Sequence, residues 1–209
     1  MFCCLMATFY DRSLAAVEAR TLGAWRDELL SGLTGRVVEL GSGTGVNLSR
    51  YPGGAEEVVL TEPDPHMRRH LRRHLQAHPD RGRITLQDAP AERLPFPDSS
   101  VDTVVSTLVL CTVPDPHAVL TEVRRVLRND GRLLFIEHVA APPGTSAARW
   151  QKRLEPIWGV FAGGCRLTRP TAALLQEAGF SFDSLQTDTL SPAPWFIKPA
   201  IRGVARMQQ

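Results

Sequence analysis

Two hydrophobic rhythms alternate along the chain. Short, β-branched apolar runs occupy Arg36 to Leu40, Val58 to Thr61, Arg83 to Leu86, Val101 to Val109 and Arg132 to Val139. Such runs predict strands buried on both faces. Between them apolar residues recur at helical spacing. Phe9 to Leu30 carries Leu14, Val17, Leu22, Trp25, Leu29 and Leu30, which predicts one or two helices stopped by Gly32 and Gly35. Asp64 is placed to cap a helix running to about Ala77, with Met67, Leu71 and Leu75 as its buried stripe. Pro114-Asp115-Pro116 opens a helix bearing Val119, Leu120, Val123, Val126 and Leu127. Strands alternating with helices predict a doubly wound parallel α/β sheet.

The final third follows a different plan. Ala140 to Ala147 is a loop rich in Pro, Gly and Ala, and Trp150 to Val160 reads as a helix. Thr168 to Ala178 is a second helix with Gly179 as its stop, and Phe180 to Gln186 and Ala200 to Arg206 read as two closing strands. No linker or internal repeat divides the 209 residues, a length that suits one domain.

Composition then limits the function classes. Apolar residues make up 43% of the chain, enough for a core, and a net charge of +2 does not imply nucleic acid or an anionic membrane as an obligate partner. The four cysteines, Cys3, Cys4, Cys111 and Cys165, have no zinc-site spacing and read as reduced thiols in a cytoplasmic protein. Met1 to Met6 is apolar but short and lacks a basic flank, so no signal peptide or membrane span is expected. His66, His70, His74 and His78 recur every four residues, but Arg68, Arg69, Arg72 and Arg73 beside them would repel a cation. They are read as a solvated flank, and no metal site is expected.

The strongest chemical signal is Glu39-Leu40-Gly41-Ser42-Gly43-Thr44-Gly45. Its context is strand, glycine turn and an expected short helix, whose N–H groups would face an anion. A dinucleotide fingerprint starting at Gly41 would need glycine where Val46 stands. The observed E-x-G-x-G-x-G instead resembles motif I of the class I S-adenosylmethionine-dependent methyltransferases. Further stations follow in order: Glu62 ends strand two, Asp88-Ala89 follows strand three, Ser106-Thr107-Leu108 follows strand four, and Asn129-Asp130-Gly131 precedes strand five. Phe135 to Val139, Gly164 to Arg169, Thr107 to Cys111 and the Pro194-Trp195 region resemble the methyltransferase-like thiol S-methyltransferases in particular. The middle of the chain is more distantly similar to the quinone C-methyltransferases. Animal thiol S-methyltransferases carry an N-terminal hydrophobic membrane segment that Met1 to Met6 does not match, so membrane residence is not carried over.

The resemblance implies a single-domain Rossmann-like fold: a mostly parallel seven-stranded sheet with an antiparallel last strand and helices on both faces. Residues 1–35 would form an N-terminal helical lid, 36–139 the cofactor-binding core, and 140–209 the acceptor-side helices and final strand pair. It implies S-adenosyl-L-methionine as cofactor and S-adenosyl-L-homocysteine as product. The implied cofactor contacts are Tyr10, Glu39, Gly41, Ser42, Gly43, Gly45, Asn47, Glu62, Pro63, Met67, Asp88, Ala89, Thr107 and Leu108. Among these, Glu62 would hold the ribose hydroxyls, Asp88 the adenine amino group, and Tyr10 would cover the cofactor.

The implied partner is a small-molecule acceptor, a thiol first; a quinone, phenol or isoprenoid, a cofactor-binding protein without turnover, and an oxidoreductase remain alternatives. No segment of the type that aligns planar nitrogens follows strand four, which argues against nucleic-acid or protein amide methylation. His138 is the candidate catalytic residue, because it lies at the carboxyl end of strand five and imidazole moves protons at neutral pH. A histidine bonded to backbone at a strand end is the competing reading. Glu137 and His138 alternate, so only one should face the pocket. Cys111 reads as a small buried hydrophobe, Asp115 as a helix cap, and Cys165, Arg166, Trp150, Trp158 and Trp195 as either pocket lining or core.

Overall fold

The structure, a computed structural model, describes residues 15–208. Cys3, Cys4 and Tyr10 therefore lie outside the described residues, and so does the proposed covering role of the Tyr10 ring. Seven strands form one sheet: β1 (Gly35–Leu40), β2 (Ala55–Thr61), β3 (Ile84–Gln87), β4 (Val101–Thr107), β5 (Leu127–His138), β6 (Phe180–Thr189) and β7 (Pro199–Met207). Their spatial order is β3-β2-β1-β4-β5-β7-β6. The first five pair in parallel, while β7 runs antiparallel to both β5 and β6. Strand order reverses between β1 and β4, which opens a crevice beyond their carboxyl ends.

The helices are α1 (Gly23–Leu30), preceded by a π-helical turn at Glu18–Leu22, then α2 (Pro65–Ala77), α3 (Pro116–Val126), α4 (Ser146–Phe161) and α5 (Thr171–Glu177). Asp64 accepts the His66 and Met67 amides at 2.8 and 2.9 Å, and Asp115 accepts those of His117 and Ala118, so both act as the expected N-caps. No helix among the described residues is long and apolar enough to cross a membrane.

The period-two alternation within the strands sorts apolar side chains to two faces. Val38, Leu40, Val59, Val104, Leu133 and Phe135 join one core cluster with Leu120 and Val123 of α3 and Leu174 and Leu175 of α5. Their neighbours Val37, Val58, Leu60, Val105 and Leu134 join a second cluster with Leu30 of α1 and Leu71 of α2. Both faces are thereby covered, which is why these strands read as continuous apolar runs.

Two expectations need correction. No α-helix follows the glycine turn: the chain forms turns and a short 3₁₀ helix at Leu48–Arg50, which ends in extended Tyr51 before Pro52. Gly41, Gly43 and Gly45 all take left-handed φ values, of 51°, 56° and 94°, so the segment coils on itself and cannot start a regular helix. The anion-binding helix terminus expected there is absent. The fourth strand ends at Thr107 and not at Val109, because Leu108 has φ 61° and turns the chain out of the sheet.

β7 also depends on a glycine. A Cβ at Gly203 would stand 2.1 Å from the Ser184 carbonyl oxygen of β6, beside the register shift between Phe182 and Ser184. Gly203→Ala is expected to lower stability by about 1–3 kcal/mol, the usual cost of overpacking. Denaturant unfolding followed by circular dichroism measures it.

Candidate active site

The crevice is built around the turn that leaves β1. Ser42 N–H donates to the Thr61 carbonyl at 2.9 Å, which ties the turn to the end of β2. A Cβ at Gly45 would lie 2.5 Å from Leu71 Cδ1, and one at Gly41 3.0 Å from a Val109 methyl. At Gly43 the nearest atom would be 4.0 Å away, so there the backbone leaves open space for a ligand to approach.

Glu62 closes one side of that space. Its Oε2 accepts Gly43 N–H at 2.7 Å and its Oε1 accepts Asp64 N–H at 2.8 Å. Burial pushes its carboxyl up, and the Asp64 and Gly43 amides pull it back toward the anion. Each oxygen keeps a lone pair after these bonds, which matches two vicinal hydroxyls of a ribose. Pro63 follows, its carbonyl accepting from Arg68. Asp88 is largely exposed and meets the Arg68 fork, at 2.9 Å to Nη1 and 2.6 Å to Nη2, while Ala89 is buried.

Beneath the turn lies a buried polar network. Glu39 accepts from Asn47 Nδ2 at 2.6 Å and from the Tyr51 hydroxyl at 2.7 Å. Arg26 of α1 donates to Asn47 Oδ1 at 2.9 Å and to Thr107 Oγ1 at 2.8 Å, and pairs with Glu18 at 3.3 Å. Burial raises the Glu39 carboxyl; the Tyr51 and Asn47 bonds and the charge of Arg26 oppose that rise. Asn47 thus spends all its amide groups inside this network, and Glu39 and Asn47 hold the turn from below. Arg26 had no signal in the sequence, where it is one charged residue in an amphipathic helix.

A second part of the crevice forms where β4 and β5 end. After Leu108 turns the chain, the amides of Val109, Leu110 and Cys111 converge on the Glu137 carboxylate at 3.1, 3.0 and 3.1 Å, and the Ser106 hydroxyl adds a fourth bond at 2.7 Å. Burial pushes the Glu137 carboxyl up to about 7, against the pull of these donors. His138, one residue on, faces the opposite side, as strand alternation requires. Its Nδ1 lies 3.9 Å from the Cys165 sulfur, and its Nε2 is buried with no hydrogen-bond partner. Glu137 is therefore the structural carboxylate of the pair, and His138 carries the free ring nitrogen. Cys165 arrives there because Gly163 and Gly164, at φ 59° and 91°, reverse the chain after α4, and Arg166 N–H then donates to the Cys111 carbonyl at 2.8 Å.

The structure thus gathers Gly41, Ser42, Gly43, Gly45, Glu62, Thr107, Leu108 and His138 at the carboxyl ends of the parallel strands. Met67 sits on the first turn of α2 and donates its amide to Asp64. The cleft of about 490 Å³ at the opposite end of the sheet, lined by Gly35, Asp102, Arg128 and Arg206, is a set of ion pairs on the amino side of the strands.

Comparison with known proteins agrees with this geometry. A family profile described as a methyltransferase domain matches residues 38–135. The human thiol S-methyltransferase TMT1B is 41% identical over 206 residues, covering 96% of this chain and 84% of that protein. The ubiquinone/menaquinone biosynthesis C-methyltransferase UbiE of Hahella chejuensis is 38% identical over 104 residues, covering 48% of this chain and 42% of its own length. The crystal structure of geranyl diphosphate C-methyltransferase from Streptomyces coelicolor shares the fold, with a TM-score of 0.72 at 15% identity over 91% of this chain and 80% of that one.

Fold and site define an S-adenosylmethionine-dependent methyltransferase of the Rossmann-like class. Within that class, the chain belongs to the family that contains the thiol S-methyltransferases.

Glu137 tests this part of the crevice. Glu137→Gln presents an N–H₂ to one of the converging amides, and at pH values above 7 it is expected to cost about 2–4 kcal/mol, because a buried donor loses its acceptor. Chemical denaturation measures the loss, and an unchanged midpoint would remove the assigned role.

Proposed function

We propose that the protein transfers a methyl group from S-adenosylmethionine to the sulfur of a small thiol, with His138 as the group that receives the thiol proton. The observation that carries the proposal is the buried, unpartnered Nε2 of His138 at the carboxyl end of β5, in a chain similar over nearly its whole length to a thiol S-methyltransferase.

Bound there, the cofactor supplies a methyl on a positively charged sulfur, an electrophile with a good leaving group. The protein has to hold acceptor and methyl in line and remove one proton. In this reading Glu62 accepts the ribose hydroxyls, Gly43 lets the backbone approach, and Arg26 and Glu39 fix the turn from below. Asp88 would hold the adenine amino group through lone pairs that Arg68 leaves free, and Thr107 and Leu108 would line the methyl end. A thiolate at Cys165 would keep the His138 proton on Nδ1 and leave Nε2 as the acceptor. A thiol with an ordinary value near 8.5 is already partly ionised at neutral pH, so a single imidazole suffices.

The domain reading follows the same division: residues 36–139 hold the cofactor, 140–209 shape the acceptor side, and 1–35 act as the lid, with Arg26 as its anchor beneath the turn. A working place in the cytoplasm is supported by Cys111 and Cys165 standing as free thiols. A quinone or phenol acceptor is the second reading, favoured by the similarity of the cofactor half to a quinone C-methyltransferase.

Calorimetry with S-adenosylhomocysteine, followed by turnover on a panel of small thiols, phenols and quinones, tests the proposal. Thiol turnover is expected; turnover on phenols or quinones alone would replace it with the second reading. Glu62→Ala should weaken S-adenosylhomocysteine binding by about 1–3 kcal/mol, because hydroxyl donors lose their acceptor. His138→Ala should lower kcat more than cofactor affinity, and equal loss in both would make the residue structural.

A further inference from the structure

Cys111 and Cys165 come together from segments more than fifty residues apart in sequence, and methyl transfer needs only one group near them. Cys165 is partly exposed and Cys111 is buried. The segments that carry them are pinned: Arg166 N–H holds the Cys111 carbonyl at 2.8 Å, Cys111 N–H is held by Glu137 at 3.1 Å, and a Cβ on Gly164 would lie 3.0 Å from the Thr112 carbonyl oxygen. The Cys165 sulfur also meets His138 Nδ1 at 3.9 Å, beside the buried and unpartnered His138 Nε2.

We propose that Cys165 and Cys111 form a second reactive site, in which a partly exposed attacking thiolate and a buried resolving thiol reduce low-molecular-weight disulfides.

The surroundings favour charge on one sulfur of the pair. A hydrogen bond from the Cys111 thiol, then the His138 ring, lower Cys165 to about 5 against the opposing effect of burial. The same thiol–thiol bond and burial push Cys111 up. Cys165 is thus the anion at neutral pH and Cys111 keeps its proton, as an attacking and a resolving cysteine require.

The balance is simple. The Cys165 thiolate attacks one sulfur of R–S–S–R, a Cys165–S–S–R bond forms, and one RS⁻ leaves. Cys111 then loses its proton to solvent and attacks the Cys165 sulfur, forming the Cys111–Cys165 disulfide and releasing the second RS⁻. Two protein thiols are oxidised and one disulfide is reduced to two thiols. Those products belong to the acceptor class proposed above, but the exchange uses no S-adenosylmethionine and stands apart from that reading.

The test uses the full chain carrying Cys3→Ser and Cys4→Ser, reduced, with an aromatic disulfide that releases a coloured thiolate. The parent chain should release two equivalents of thiol and lose two hydrogens in intact mass, with Cys111 and Cys165 joined in the peptide map. Cys111→Ser should stop at one equivalent, with the mixed disulfide on Cys165. Cys165→Ser should lose the fast phase. At about pH 6 the parent should react roughly 5- to 10-fold faster than free cysteine, since a ~300-fold larger thiolate fraction outweighs the lower nucleophilicity of a weakly basic thiolate.

The rate in the parent chain should rise through a midpoint near 5. A midpoint in the ordinary thiol range, or a mixed disulfide that persists in the parent, would overturn the proposal. That readout needs no substitution at Cys111 or Cys165, so it holds even if Cys165→Ser does not fold.

Discussion

The segment that leaves β4 depends on one buried carboxylate. Glu137 takes four donors, three of them consecutive amides of the segment that leaves β4. Those amides could not point inward together unless Leu108 accepted a left-handed backbone, a conformation that disfavours any side chain with a Cβ. The strain and the carboxylate belong together: the bonds to Glu137 hold Leu108 where it is, and Leu108 aims the amides at Glu137. From that knot follow the position of Cys111, the seat of Cys165 against it, and the ring of His138 on the other side of β5.

A second buried network does the same for the glycine turn. Arg26 brings the cation and Glu39 the anion, with Asn47 and Thr107 between them. Removing two charges from water costs more than a bare pair returns, so every arm must be hydrogen-bonded. Here nearly every arm is, and the consequence is mechanical. Helix α1 is fastened to the glycine turn and to the end of β4 through one guanidinium, so this helix cannot shift without disturbing the crevice floor.

The fold was legible because its period is simple. Neighbouring pairs such as Val37 and Val38, or Val104 and Val105, divide between two cores, and that division is what continuous apolar runs encode. The glycine turn and the two N-caps were legible too, since each rests on local chemistry. Arg26 was not, because its role comes from contacts with residues up to eighty-one positions away. The proximity of Cys111 and Cys165 was equally hidden: Cys111 alone reads as a small buried hydrophobe and Cys165 as pocket lining or core, and only the reversal at Gly163 and Gly164 brings their segments together. The missing helix after the turn was misread because a regular helix was assumed to follow glycine, while three left-handed residues in five make tight coiling the easier course.

β5 carries its structural carboxylate and its imidazole at adjacent positions, one to each face of the sheet. The antiparallel pairing of β5 with β7, in unbroken register from Arg132–Arg206 to His138–Ala200, is what assigns them. A single inserted or deleted residue upstream in β5 would exchange the two faces, burying imidazole against three amide donors and turning a carboxylate toward Cys165. The length of this strand is therefore under stricter constraint than its composition, and natural variation in the chain should be sought in its loops.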